Sequence, residues 1–157
     1  MDDDGKGEVA DVVAIRSVGE PASPSGVEAD LYHCKFSGAA TPGRRVKDLY
    51  ELCGQAQKSI SWMSSPERQI DIFTHLLRRE ASRLDAGLSS RCEVGDTDRL
   101  QTILDVSRLR PLTVRVFIVQ PGVSRANATR DQLELLSVTE NHLMETYQLP
   151  FGVISSE

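Results

Sequence analysis

The feature that most constrains this chain is Asp30-Leu-Tyr-His-Cys-Lys-Phe-Ser37, an apolar, strand-like run that carries an imidazole and an ammonium group. It leads through Gly38 and Pro42-Gly43 into a helical run over 44–59. Side chains two apart on a strand share a face. Leu31, His33 and Lys35 are therefore expected on one face, and Tyr32, Cys34 and Phe36 on the other. The second set is apolar throughout and reads as the face packed on the core. A lysine in an apolar strand is costly unless it is paired or at work. Lys35 must therefore be neutralised or used.

Periodicity around this stretch sets the fold class. Val12-Val13-Ala14-Ile15, within 9–18, reads as a buried strand. Gly19-Glu-Pro-Ala-Ser-Pro-Ser-Gly26 predicts a loop closing a hairpin onto the strand at 30–37. Over 44–63, Val46, Leu49, Tyr50, Cys53, Ala56, Ile60 and Met63 recur at helical spacing, with Lys47, Glu51, Gln55 and Lys58 opposite. Ser65-Pro66-Glu67 predicts a capped helix reaching about residue 84, with Ile70, Phe73, Leu76, Leu77 and Ala81 inward. Residues 87–95 read as loop. Asp96 or Thr97 can cap a helix that ends before Pro111. A third strand is expected over 112–119, ending at Gln120-Pro-Gly122. A helix over 130–147 follows, with Leu133, Leu136, Val138, Leu143 and Tyr147 as its stripe, and 151–155 reads as a final strand. This order predicts an α/β fold, a mixed β-sheet flanked by helices. The first strand pair is antiparallel, and each helical crossover gives a parallel neighbour.

The 157 residues suit a single domain over 1–157. The formal charge of −5 argues against polyanion binding over the whole surface. It leaves room for a local basic groove at Arg44, Arg45, Lys47 and Lys58. No apolar run approaches the roughly 18 residues of a membrane span, and Met-Asp-Asp-Asp-Gly is no secretory h-region. Cys34, Cys53 and Cys92 lack CxxC spacing, which points to a reducing cytoplasmic setting rather than zinc or a disulfide framework. The even apolar–polar balance of the helices leaves a homodimer open.

Three constellations could carry chemistry. Gly38-Ala-Ala-Thr-Pro-Gly43-Arg44-Arg45 has the GxxxxG spacing of a phosphate loop, but arginines stand where its lysine and hydroxyl residue belong. It reads as a turn into a helix. Cys34 and Cys53 read as small core residues, since neither pattern supplies a facing base. The third set is Glu8, Asp11, His33, Lys35 and Gln55. Two acids opening one strand could hold a hard divalent cation. A lysine on the adjacent strand could orient water or a phosphate oxygen, and the following helix offers Gln55 and Lys58. That set suits metal-assisted phosphodiester hydrolysis.

Gly5-Lys-Gly-Glu8-Val-Ala-Asp11, an apolar strand, a loop and a strand ending His33-Cys34-Lys35 resemble the PD-(D/E)xK nuclease superfamily. The helix Asp48-Leu-Tyr-Glu-Leu-Cys-Gly-Gln55-Ala-Gln57-Lys58 resembles the one bordering the active site there, and the likeness extends to terminal domains of bacterial helicase-like and phage-defence proteins. It implies a restriction-endonuclease-like core and a magnesium- or manganese-dependent endonuclease acting on nucleic acid, DNA foremost. Glu8, Asp11 and His33 would stand at the metal, Lys35 would be the motif lysine, and Gln55 would support it. Arg44, Arg45, Lys47 and Lys58 would meet phosphates.

Two departures qualify the resemblance. His33 stands where the family has an acid, and imidazole is a poorer magnesium ligand than carboxylate. Asp30 is close, but its odd offset puts it on the other face unless a bulge intervenes. The family usually has a helix and strand before the Asp11 strand, so the chain suits a piece of a longer protein, one whose other domains could include a helicase. The alternatives are a catalytically degenerate member that binds nucleic acid or protein, and an interaction domain with no nucleic-acid role.

Overall fold

The computed structural model describes residue 1 and residues 8–36 and 43–156. Most of the glycine–proline turn before the first helix, 38–42, lies outside the described residues. Strand β1 (Val12–Glu20) turns at Pro21-Ala22 directly into β2 (Ser23–Cys34). The hairpin is as expected, but its loop has shrunk to two residues. Backbone pairing explains this. Gly19 takes φ +93°, Ser25 Oγ donates to the Val18 carbonyl at 3.2 Å, and Arg16 pairs with Glu28 across the strands. Further along β2, Val27 N–H bonds the Pro111 carbonyl at 2.9 Å.

The sheet is four-stranded and mixed, ordered β1-β2-β3-β4, and four helices flank it. β3 (Leu112–Ser124) lies parallel to β4 (Phe151–Ser156), with Phe117 opposite Gly152. Val27 to Pro111 and Lys35 to Val119 keep one offset along the chain, so β2 and β3 are parallel too. β3 runs past the expected stop at Gln120, with a register shift between Gln120 and Ser124. The Gln120 side-chain oxygen accepts from Gly122 N–H at 2.8 Å and keeps the strand going through Pro121.

Chain contacts divide the fold into two compact units, Met1–Leu31 with Ser61–Val114, and Tyr32–Ile60 with Arg115–Glu157. In the first, α2 (Pro66–Asp85) opens on Ser65, whose Oγ accepts from Arg68 N–H at 3.3 Å, with Pro66 as the first helical residue. α3 (Thr97–Ser107) opens on Asp96, which accepts from Arg99 N–H at 2.8 Å. The core gathers Val27, Phe73, Ile103 and Leu104, with Ile15, Ile70, Leu77 and Leu100 packed around them. Burying Phe73 alone is worth about 1.5–3 kcal/mol. Ala81 is exposed, and Ile72 and Glu80 take the inward positions. Glu80 is tolerated there because its two oxygens accept from Arg91 N–H at 3.2 and 3.3 Å, tying down the loop before α3.

α1 (Lys47–Lys58), in the second unit, passes at its end into a 3₁₀ turn, Ser59–Trp62, instead of continuing to Met63. α4 (Arg130–Tyr147) opens on a capping box between Thr129 and Gln132. The core holds Leu49, Leu52, Cys53, Ala56, Val116, Ile118 and Leu143. Tyr50, Leu133, Val138 and Tyr147, expected inward, are exposed. α4 buries Gln132, Thr139 and Leu143 instead. Gln132 can be interior because its amide donates to the carbonyls of Gly43 and Arg45 at 3.0 and 3.2 Å, and Thr139 donates to Leu135 O at 2.9 Å.

The two faces at the end of β2 are exchanged relative to expectation. Leu31 and His33 are buried, whereas Cys34 is exposed and Phe36 is 88% exposed. Tyr32, half-buried, stacks on Phe117 with centroids 5.1 Å apart, and Phe117 lies across Gly152, where a Cβ would come within 2.6 Å of the ring. The reason is a polar partner inside: His33 meets Ser59 Oγ there, so the face it shares with Leu31 is the buried one. Among the described residues, no helix is long and apolar enough to cross a membrane.

Candidate functional site

The second unit brings His33, Lys35, Gln55, Lys47 and Lys58 to the neighbourhood of one strand end and one helix. His33 is 3% exposed, and its Nε2 lies 2.8 Å from Ser59 Oγ, itself buried. The imidazole of the second ligand position thus points into the core and is oriented by the 3₁₀ turn. One ring nitrogen is spent on that hydroxyl. His33 reads here as a buried core histidine.

Lys35 lies just beyond β2, where its N–H still bonds the Val119 carbonyl at 3.1 Å. Its Nζ reaches Glu51 Oε2 on α1 at 2.5 Å. The cost of a lysine on this strand is thus met by a carboxylate from the next helix. Glu51 belongs to the solvent stripe of α1 formed by Lys47, Glu51, Gln55 and Lys58, as the spacing predicts. The Lys35 hydrogen bond and charge hold the Glu51 carboxyl below the usual carboxylate range, and Lys47 adds to the effect. Gln55 is half-buried one turn along, and Lys58 is exposed at the helix end.

The remaining basic candidates stand at the start of this helix. Arg44 and Lys47 are exposed, and Arg45 approaches Asp48 at 3.9 Å. Cys53 is buried against Thr139, and its burial pushes the thiol pKa up, the opposite of what a nucleophile needs. Cys34, expected in the core, is exposed because its face is the outer one.

Glu8 and Asp11 belong to the first unit. Both precede β1 rather than sitting on it, and each is half-buried. Buried Val9 and Ala10 anchor the segment between them. Asp30 is buried on β2. Among the described residues no group of three or more His, Cys, Asp or Glu is placed to hold a metal ion.

Two residues escaped the sequence reading. Glu51 was on the expected solvent stripe, yet the supporting role went to Gln55. A strand-end lysine followed by a helix with an exposed acid is a usable signal for such a pair. Ser59 had none, because a helix was expected to run through it. No family model, curated protein or solved structure significantly matches the chain.

Proposed function

We propose that this chain is a metal-dependent nuclease that hydrolyses phosphodiester bonds, DNA foremost, in a bacterial restriction or defence setting. The observation that carries this reading is the Lys35–Glu51 pair, a lysine at the end of a sheet strand facing a carboxylate from the following helix. The sequence departs from the nuclease motif by lacking an acid two residues before the lysine. Glu51 offers an oxygen ligand beside that same lysine. The donor chemistry suits magnesium or manganese at Glu51 better than at His33, whose Nε2 is committed to Ser59. By its motif position, Asp11 is the oxygen ligand that the resemblance names. Such an ion supplies Lewis-acid polarisation of the phosphate. Lys35 would hold a phosphate oxygen or orient the attacking water. Gln55 and Lys58 would steady the same strand, with Arg44, Arg45 and Lys47 as phosphate contacts.

The second reading, a catalytically degenerate nuclease-like domain that binds nucleic acid, is favoured by the inward His33–Ser59 bond. Cleavage decides between them. Supercoiled plasmid and single-stranded DNA are incubated with magnesium or manganese and wild type, Lys35→Ala or Glu51→Gln. Loss of activity in both variants supports the nuclease and its revised site. Wild type inert under both metals, or variants as active as wild type, would sink it.

A further inference from the structure

The strongest unassigned feature lies in the first unit, on the solvent side of α2. Residues 68, 71, 75, 78, 79, 82 and 83 fall on one helical stripe, and two open clefts run along it and meet at Arg78. Arg78, Arg79, Arg83 and Arg91 line one cleft; Arg68, His75 and Trp62 line the other. Asp71 is the single acid lining either, and it is occupied by Arg68 at 3.4 Å. Glu80, which follows Arg79 directly and lies three residues before Arg83, is turned inward to the Arg91 N–H. Arg68, Arg78, Arg83 and Arg91 thus line open clefts with one carboxylate among the lining residues, on a chain whose net charge is −5. A local cationic cleft on such a chain is a place to hold an anionic ligand.

The two clefts differ in character. Where Arg78, Arg79, Arg83 and Arg91 converge, the surface is cationic. At the other end lies an aromatic cluster: the Arg68 guanidinium sits 5.5 Å over the Trp62 ring, and the His75 ring approaches Trp62 at 5.1 Å, tilted by 57°. Arg78 bridges the two regions, its guanidinium 3.4 Å from His75 Nδ1. From Arg68 to Arg83 the helix rises about 22 Å. A cationic track ending on ring and guanidinium planes is what single-stranded nucleic acid uses, since backbone phosphates take the charges and unpaired bases stack. An acidic peptide would satisfy the arginines but leave the stacking cluster without a role.

We propose that the α2 stripe is a docking track for single-stranded nucleic acid, with Arg78, Arg83 and Arg91 on phosphates and the Trp62–Arg68–His75 cluster against bases. This binding is independent of cleavage and needs no metal.

The test is fluorescence anisotropy of the full chain with a labelled oligothymidylate of about 20 nucleotides, longer than the ~4–16 that a comparable groove occupies. EDTA is present, so hydrolysis is silent. The double variant Arg78→Ala/Arg83→Ala should bind about ten-fold or more weakly, and the slope of log affinity on log salt should fall by about 1.4. Trp62→Leu should weaken binding about five-fold or more with the salt slope unchanged. An unchanged thermal midpoint in the double variant excludes misfolding. Three results overturn the track: no binding by wild type at low salt, a double variant that binds like wild type, or displacement by poly-glutamate as effective as by unlabelled oligonucleotide. The track can fail while Lys35-dependent cleavage stands, and the reverse.

Discussion

Helices α1 and α2 both carry basic groups on solvent faces, yet they present different electrostatics. Around α1, Lys35 and Lys47 act on Glu51 and Arg45 approaches Asp48, while Arg44 and Lys58 stand exposed. Part of the basic charge of this region is thereby offset. On α2 the arginines outnumber the acid that lines their clefts; Glu67 and Asp85 lie on the same helix outside those linings, and Glu80 is buried on a backbone N–H. A run such as Arg44-Arg45-x-Lys47 looks basic in one dimension, but Asp48 and Glu51 follow at helical spacing and offset part of the charge. Basic sequence and basic surface are separate properties.

The largest effect expected along this contrast comes from beneath α2. Phe73→Ala should cost about 3–5 kcal/mol, read as a fall in the urea midpoint, and should take the arginine track with it. The surface double variant at Arg78 and Arg83 should stay within about 0.5 kcal/mol of wild type. A Phe73→Ala protein as stable as wild type would mean that α2 does not rest on this core. His33→Ala comes next, at about 2–3 kcal/mol, since it removes a buried ring and leaves the Ser59 hydroxyl without it. Ser59→Ala should cost about 1 kcal/mol. Were His33 a metal ligand pointing outward, its removal would leave stability unchanged and alter only metal dependence.

The smallest effect concerns the neutraliser of α1. Glu51→Gln leaves Lys35 and Lys47 uncompensated, so α1 should gain affinity for oligonucleotide by about two-fold at low salt. The same variant has a signature in stability against pH. Because the folded-state pKa of Glu51 lies below the ordinary 4.5, wild type holds its advantage in full above that pH. The advantage fades as the pH falls through the lower, folded-state value. A difference between the two proteins that grows on acidification would contradict the Lys35 pairing.

The sequence by itself determined the element order, the α/β class, the caps at Ser65 and Asp96, the helices 66–85, 97–107 and 130–147 within a residue or two, and the solvent stripe of α1. These are local properties: cap chemistry, proline stops and apolar period all act within one or two turns. The tertiary structure decided what local rules cannot reach. Ser23–Gly26 became strand because β1 and Pro111 supply backbone partners. Gln132 and Glu80 could be interior because carbonyls of Gly43 and Arg45, and the N–H of Arg91, meet them there. The two faces at Tyr32–Phe36 were decided by Ser59, 26 residues from His33, which made an imidazole the better core residue. A polar side chain goes inside when a distant partner satisfies it, and the identity of that partner is not written in its neighbours.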